Sequence, residues 1–319
     1  MKKNLSYEST RAGTSIWILC LILIISVSGL GCSIRKVAVN SLGDALAAGG
    51  TTFSSDDDPE LVKAAVPFSL KLIESLLAES PRNQNLLLAA ARGYTQYTYA
   101  FVQQEADEME SEDLNRAMVL RERARRLYLR ARNYGLRGLE VAHPEFRDSL
   151  FLNSKEAVLM AGITDVPLLY WTAVSWAAAI SVSKNDPELI ADLVQVEALI
   201  DRALDLDESF DYGAIHTFLI TYEMVRPGGQ GEPAHRAQRH FRRAVELSSG
   251  QMAGPFVSMA ESVAVPQQDV VEFRSLLEKA LAIDPDAKPE WRLINTIMQR
   301  RARWLLARTD ELFLPSDNN

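Results

Sequence analysis

Cysteine is almost absent from this chain of 319 residues. Cys20 and Cys32 are the only two, and both lie within the first 32 residues. The remainder of the chain therefore has no thiol with which to form a disulfide, ligate a metal or act as a nucleophile. This excludes a cysteine-based zinc site and a thiol enzyme from the folded part.

Histidine is also scarce: the chain has His143, His216, His235 and His240. His235 and His240 are five residues apart, whereas two zinc-binding histidines on one helical face are four apart. His216 lies in the apolar stretch GAIHTFLITYE. Two interpretations of it stay open, a core histidine with satisfied ring nitrogens and a polar anchor in a cavity.

Recognisable catalytic motifs are missing. The sequence contains no glycine-rich phosphate loop, no nucleophile elbow and no Ser/His/Asp set. Glu-Ser dipeptides at positions 74, 110 and 261 match the catalytic pair of lytic transglycosylases, but the Gly-Leu-Met-Gln stretch of those enzymes is absent. We therefore predict that the protein is not an enzyme and that it has no cofactor and no metal.

The sequence has no β-alternating run between Asn40 and Leu314. It has helix signals instead: the tetrapeptide Asp-Pro-Glu-Leu occurs at 58–61 and again at 186–189, and each copy supplies an N-cap followed by a first-turn proline. Similar helix ends recur at 76–81, 203–207, 244–248 and 280–285. The last three are spaced by roughly the length of a tetratricopeptide (TPR) helix pair. We predict an all-α fold built as a TPR-like helix-pair array.

One stretch has no charge: residues 166–183 lie between Asp165 and Lys184. Asp165 is a candidate N-cap, and apolar side chains follow it on nearly every face of the predicted helix. Such a helix lies either inside a membrane or inside a protein. We predict a buried central helix around which the other helices pack.

The charges are unevenly distributed. The net charge is -8, which argues against nucleic acid as a partner. Six carboxylates occur in the acidic segment 105–113, and eight arginines follow in 116–137. The arginines are either an anion-binding stripe or a solvated face that pairs with the preceding acidic segment, and local charge balance favours the second interpretation.

The N-terminus resembles a bacterial lipoprotein signal. Lys2, Lys3 and Arg11 precede an apolar run that ends in Gly31-Cys32, although Gly29 stands where such signals usually have leucine. The resemblance implies a signal peptide over 1–31, lipidation at Cys32, a lipidated tether over 32–40 and a helical domain over 41–319. Alternatives are an uncleaved anchor and ordinary signal cleavage. Ser33 in place of aspartate favours the outer over the inner membrane, facing the periplasm.

Longer stretches resemble the T-component (TatT) family of tripartite ATP-independent periplasmic (TRAP) transporters. The stretches are DDDPELVKAAVPFSLKLIESLL (56–77), YTQYTYAFVQQEAD (94–107), DVPLLYWTAVSWAAAIS (165–181), GAIHTFLITYE (213–223) and HFRRAVELSSGQMAGPFVSMAES (240–262). The resemblance implies a non-catalytic periplasmic lipoprotein, a homotrimer, and association with the transporter's substrate-binding P component. It also implies a cavity for an apolar or amphipathic ligand. The alternative function is a generic TPR-like scaffold lipoprotein of cell-envelope assembly.

Aromatic side chains are the candidates for the cavity wall, since Tyr and Trp combine apolar rings with polar tips. Packing of the same rings in an ordinary core is the other interpretation. The proposed lining residues are Tyr94, Tyr97, Phe101, Tyr170, Trp171, Trp176 and His216.

Overall fold

The structure, a computed structural model, describes residues 50–314 and the side chains of residues 52–314. Cys32, the predicted signal peptide and the predicted tether lie outside the described residues. Within the described range the chain is helical and contains no strand, which confirms the all-α prediction. The first helices are α1 Gly50–Ser54, α2 Pro59–Glu79, α3 Gln84–Thr98, α4 Gln104–Met109, α5 Leu114–Ala142, α6 Phe146–Leu152, α7 Ser154–Ala157 and α8 Val166–Ser181. The others are α9 Pro187–Ala191, α10 Leu193–Leu206, α11 Phe210–Tyr222, α12 Pro233–Leu247, α13 Ala253–Met259, α14 Val270–Ala282, α15 Arg292–Ala307 and α16 Thr309–Leu312.

The repeated Asp-Pro-Glu-Leu tetrapeptides start helices, as predicted. The Asp58 carboxylate accepts hydrogen bonds from the backbone N–H groups of Glu60 and Leu61 at the start of α2. Asp186 accepts one from the Leu189 N–H at the start of α9. These bonds satisfy N–H groups that have no partner within the helix. The two tetrapeptides therefore share a capping function.

Three segments depart from regular α-helical geometry. A π-helical turn at Tyr99–Gln103 joins α3 to α4, and a second π turn, Ala260–Ala264, follows α13. Helix α11 begins at Phe210 and continues through three left-handed residues, Asp211, Tyr212 and Gly213. A Cβ atom at Gly213 would lie 3.2 Å from the Ala244 Cα, so this turn brings α11 close to α12.

The uncharged stretch forms α8, which packs against α3, α5 and α10. Residues Ile163–Ser181 are long and apolar enough to cross a membrane, and 67% of that stretch is buried within the protein. Gly135 allows the closest approach, since a Cβ there would lie 2.1 Å from the Thr172 Oγ1. The helix therefore has the position that we predicted for a buried central element.

Asp165 does not cap α8 with its side chain, contrary to the sequence prediction. Its carboxylate instead accepts a hydrogen bond from the Gly162 N–H and lies 2.9 Å from the His143 Nε2. The short 3₁₀ turn Ile163–Asp165 precedes the helix and turns the carboxylate back towards residue 162. Asp165 thus connects the end of α5 to the start of α8.

The helices enclose two hydrophobic cores. The N-terminal core is formed by buried side chains between Val62 and Tyr222, with Ile297 added from α15. The C-terminal core is formed by buried side chains between Ile220 and Leu305. Tyr99 packs against both cores. Some neighbouring helices pack as pairs, for example α11 with α12 and α14 with α15, but a TPR-like relation between pairs stays a prediction.

Candidate functional site

Two of the candidate rings lie on the first turns of α8. Tyr170 and Trp171 are in edge contact, with ring centroids 4.9 Å apart. Tyr170 also contacts the Phe210 ring at 5.3 Å, which joins α8 to the start of α11. Burial raises the pKa of the Tyr170 phenol well above its usual value, and the charge of Asp211 acts in the same direction. The Tyr170 hydroxyl therefore stays protonated and neutral.

Trp176 lies about one and a half turns further along α8 and is fully buried. Its indole Nε1 donates a hydrogen bond of 3.1 Å to the Asp192 carboxylate. The Arg132 guanidinium lies 4.8 Å from the ring centroid, and the Phe151 ring contacts another side. Trp176 thus has both its polar atom and its ring faces in contact with α5, α6 and the start of α10.

The candidate rings of α3 lie on the side of that helix that faces α5. Tyr94 stacks on Tyr134 with centroids 6.0 Å apart, and its hydroxyl accepts a hydrogen bond of 3.4 Å from Arg130. Tyr97 and Phe101 are in contact at 5.7 Å, with Phe101 within the first π turn. These side chains belong to the N-terminal core.

His216 lies on α11 and has a partner at each ring nitrogen. Its Nδ1 is 2.8 Å from the Nδ1 of His240, and its Nε2 is 3.3 Å from a Glu208 oxygen. Burial lowers the pKa of His216, although Glu208 opposes the shift. Burial and the neighbouring His216 lower the pKa of His240 to about 4. One ring must donate and the other must accept at 2.8 Å, so the two histidines are not both cationic near neutral pH.

The structure brings the seven candidate side chains together only in part. Direct ring contacts join Tyr97 to Phe101 and Tyr170 to Trp171. Trp176 instead contacts Phe151, and His216 contacts His240. Two surface grooves, of 410 Å³ and 250 Å³, are lined by other residues. The shared cavity therefore remains a prediction.

A polar cluster that combines two buried side chains, Gln104 and Arg301, with two half-buried carboxylates was not predicted from the sequence. Arg301 of α15 is buried and pairs with Glu261 in the second π turn and with Asp107 of α4, the latter at 3.2 Å. Burial raises the pKa of Asp107, and the positive charge of Arg301 opposes that shift. The buried Gln104 precedes Asp107 by one helical turn. We call Gln104, Asp107, Glu261 and Arg301 the polar seam.

Local spacing gave no signal for the polar seam, because its members come from three distant parts of the sequence. Both π turns are close to the polar seam, since Tyr99 lies in the first and Glu261 in the second. Burial raises the pKa of the Tyr99 hydroxyl to about 12. The negative charge of Glu261 acts in the same direction, and the positive charge of Arg301 opposes it. Single π turns within α-helices are frequent at functional sites. Among residues 50–314, no group of three or more His, Asp or Glu side chains is arranged to hold a metal ion.

Comparison with known proteins places the chain in a family. The family described as "TRAP transporter T-component" matches residues 55–313, which is most of the chain. An uncharacterized protein of Treponema pallidum (strain Nichols) is 31% identical over 305 residues, covering 89% of this chain and 94% of the relative. The chain belongs to the TRAP transporter T-component family, and its role lies with a TRAP transporter in the cell envelope.

Proposed function

We propose that the protein associates with the substrate-binding P component of a TRAP transporter in the periplasm and acts without catalysis of its own. The observation that carries the proposal is the family match over residues 55–313, which spans nearly the whole described chain. The all-helical build is compatible with a binding role, because packed helices present extended surfaces to protein partners.

The proposal includes an apolar or amphipathic ligand and a homotrimer. Aromatic rings with polar tips support the ligand, since the Tyr94 and Tyr97 hydroxyls both accept hydrogen bonds from arginines at 3.4 Å. Tyr97, Phe101, Tyr170 and Trp171 are the side chains that we assign to such a ligand first, because they occur as contacting pairs. Light scattering of the purified protein would measure the oligomeric state, and a monomer would contradict the homotrimer.

We also propose that Cys32 carries a lipid and holds the protein at a membrane, with the outer membrane favoured by Ser33. Cells that express the protein would be fed a labelled fatty acid. Label is expected on the wild type and is expected to disappear in Cys32→Ala. Equal labelling of the two proteins would contradict lipidation at this residue.

The association is tested by co-purification of the full-length protein with the TRAP-type P component from the same cell. We expect capture by the wild type and no capture by an unrelated periplasmic lipoprotein used as bait. If crosslinking at low salt recovers no P component, the proposed function is wrong. Retention of a fluorescent fatty acid by wild type and by Trp171→Ala, compared at equal folded fraction, tests the ligand separately.

A further inference from the structure

The central part of α5 carries a groove of 410 Å³ that is open to solvent. We call it the basic groove. Its lining residues are Arg126, Leu129, Arg130, Asn133, Tyr134 and Arg137. Successive members of this set are three residues or one residue apart, so they lie along one face of the helix. The distance from Arg126 to Arg137 along the helix axis is about 16 Å.

The acidic segment before α5 does not neutralise this groove. Glu110 forms a bidentate pair with Arg121 at 2.7 Å, and Glu105 pairs with Lys63 and Arg116. The predicted local charge pairing is thus present at the N-terminal end of α5. It does not extend to the arginines of the basic groove, whose partners lie outside the acidic segment.

The guanidinium groups of Arg126 and Arg137 have weak or neutral partners. Arg126 lies 3.8 Å from a Glu122 oxygen, while Glu122 forms its shorter hydrogen bond, of 2.9 Å, with Arg125. Arg137 donates to the Pro81 carbonyl oxygen at 3.2 Å and lies over the Tyr134 ring at 5.4 Å. Neither of these Arg137 partners carries a formal charge. Both guanidinium groups can therefore bind an additional anion.

The Glu74 carboxylate lies at the edge of the groove and has several partners. It accepts hydrogen bonds from Lys71 and, at 2.8 Å, from the Tyr134 hydroxyl, and it lies 3.5 Å from Arg130. Burial opposes ionisation of Glu74, but these hydrogen bonds outweigh it and lower the pKa. One ionised carboxylate is thus divided between Lys71 and Arg130, and the groove remains positive in a chain whose net charge is -8.

We propose that the basic groove docks an acidic segment of a protein partner, with carboxylates of the partner bound by Arg126 and Arg137. The inference rests on the proposed function insofar as the partner is the P component. Charge complementarity supports an acidic occupant, and Arg and Tyr are the residue types that dominate binding energy in protein interfaces. An anionic membrane surface fits less well, because it is recognised by clusters of about 4–8 Lys or Arg, whereas three arginines, an amide and a phenol line this groove.

The test compares two double variants with the same change in charge. Arg126→Glu/Arg137→Glu reverses the groove, and Arg242→Glu/Arg303→Glu reverses two exposed arginines on α12 and α15. Binding of purified P component is measured at several salt concentrations, after circular dichroism and thermal melting have shown that each variant is folded. We expect the groove variant to bind about 10-fold more weakly at low salt, mainly through a slower association rate, and the control within about 2-fold of wild type.

Two further probes separate the possible outcomes. If the wild type binds the P component and the groove variant binds it equally well, the groove inference is overturned while the proposed function stands. If the wild type binds no P component, the proposed function fails, and hexaglutamate peptide then decides the groove. Groove-dependent binding of hexaglutamate supports an acidic protein segment. No binding of that peptide, or groove-dependent binding to phosphatidylglycerol vesicles alone, overturns the inference.

Discussion

The N-terminal and C-terminal cores place their arginines differently. In the N-terminal half the arginines of α5 lie mainly on the outside, and the Arg126 side chain is 65% exposed. In the C-terminal half Arg236 and Arg301 are 7% and 6% exposed and lie among core side chains. The difference follows from which residues the helices of each half bury. The uncharged α8 fills the N-terminal core, whereas the buried residues of α12 are only Arg236, Ala237 and Ala244.

This difference shows that a charged side chain constrains helix packing where it is buried. A guanidinium inside a protein must be paired and hydrogen-bonded, so it fixes the relative positions of the elements that supply its partners. Arg236 binds the Glu223 carboxylate and donates to the carbonyl oxygens of Glu223 and Gly231 at 2.9 and 2.6 Å. An exposed arginine at Arg126 imposes no such requirement.

The largest loss of stability is expected in the N-terminal core. Trp176→Ala removes a fully buried ring and the hydrogen bond to Asp192, and should lower the free energy of unfolding by about 3–5 kcal/mol. Urea denaturation measures this loss, with Phe68→Ala, whose side chain is 75% exposed, as the control. A loss below about 1 kcal/mol would show that the ring does not pack as core and would favour the ligand-cavity proposal.

Breaking a buried ion pair should come next. Arg236→Met leaves the Glu223 carboxylate buried with Arg226 at 2.9 Å as its remaining strong partner, and should cost about 3 kcal/mol. The double variant Arg236→Met/Glu223→Gln should recover part of that cost, because a neutral amide replaces the buried carboxylate that lost one of its two arginine partners. Strictly additive losses in the same urea experiment would contradict this account of the pair.

The pair of His216 and His240 predicts that the free energy of unfolding depends on pH. An unfolded histidine binds a proton near pH 6.5, whereas burial and His216 lower the pKa of His240 to about 4. Between these values the unfolded chain binds more protons, so this contribution is present above pH 6.5 and is lost as the pH falls. About 2 kcal/mol should be lost by pH 5.

Urea denaturation of wild type and His240→Asn at pH 7 and pH 5 measures that difference. The variant should show a smaller decrease between the two pH values, since position 240 no longer titrates. Equal decreases would mean that other groups near the pair, among them Glu208, Glu223 and Arg243, account for the pH dependence.

The smallest effect is expected at the exposed arginine. Arg126→Gln removes a charge whose nearest carboxylate is 3.8 Å away, and should change the free energy of unfolding by at most about 0.5 kcal/mol. Comparison with Arg236→Met contrasts an exposed guanidinium with one that is buried and paired, since both changes remove one guanidinium. A loss above about 1 kcal/mol at position 126 would mean that the groove arginines stabilise the fold.

Several features of the fold could be predicted from local sequence. The caps at Asp58 and Asp186, the apolar character of α8 and the ends of α2, α10, α12 and α14 all depend on residues within about one helical turn of one another. The pairing of Arg121 with Glu110 could also be predicted, since opposite charges lie close in the chain. The predicted side-chain cap at Asp165 was wrong, because the 3₁₀ turn before α8 aims that carboxylate at Gly162.

The sequence by itself determined that the chain is helical, where α2 and α9 begin, where α2, α10, α12 and α14 end, and that α8 requires other helices around it. Only the tertiary structure decided which side chains meet across helices. Arg301 meets Glu261 and Asp107, His216 meets His240, and the groove arginines are left without the acidic segment. Capping and periodicity act over about four residues, whereas these contacts depend on how whole helices pack.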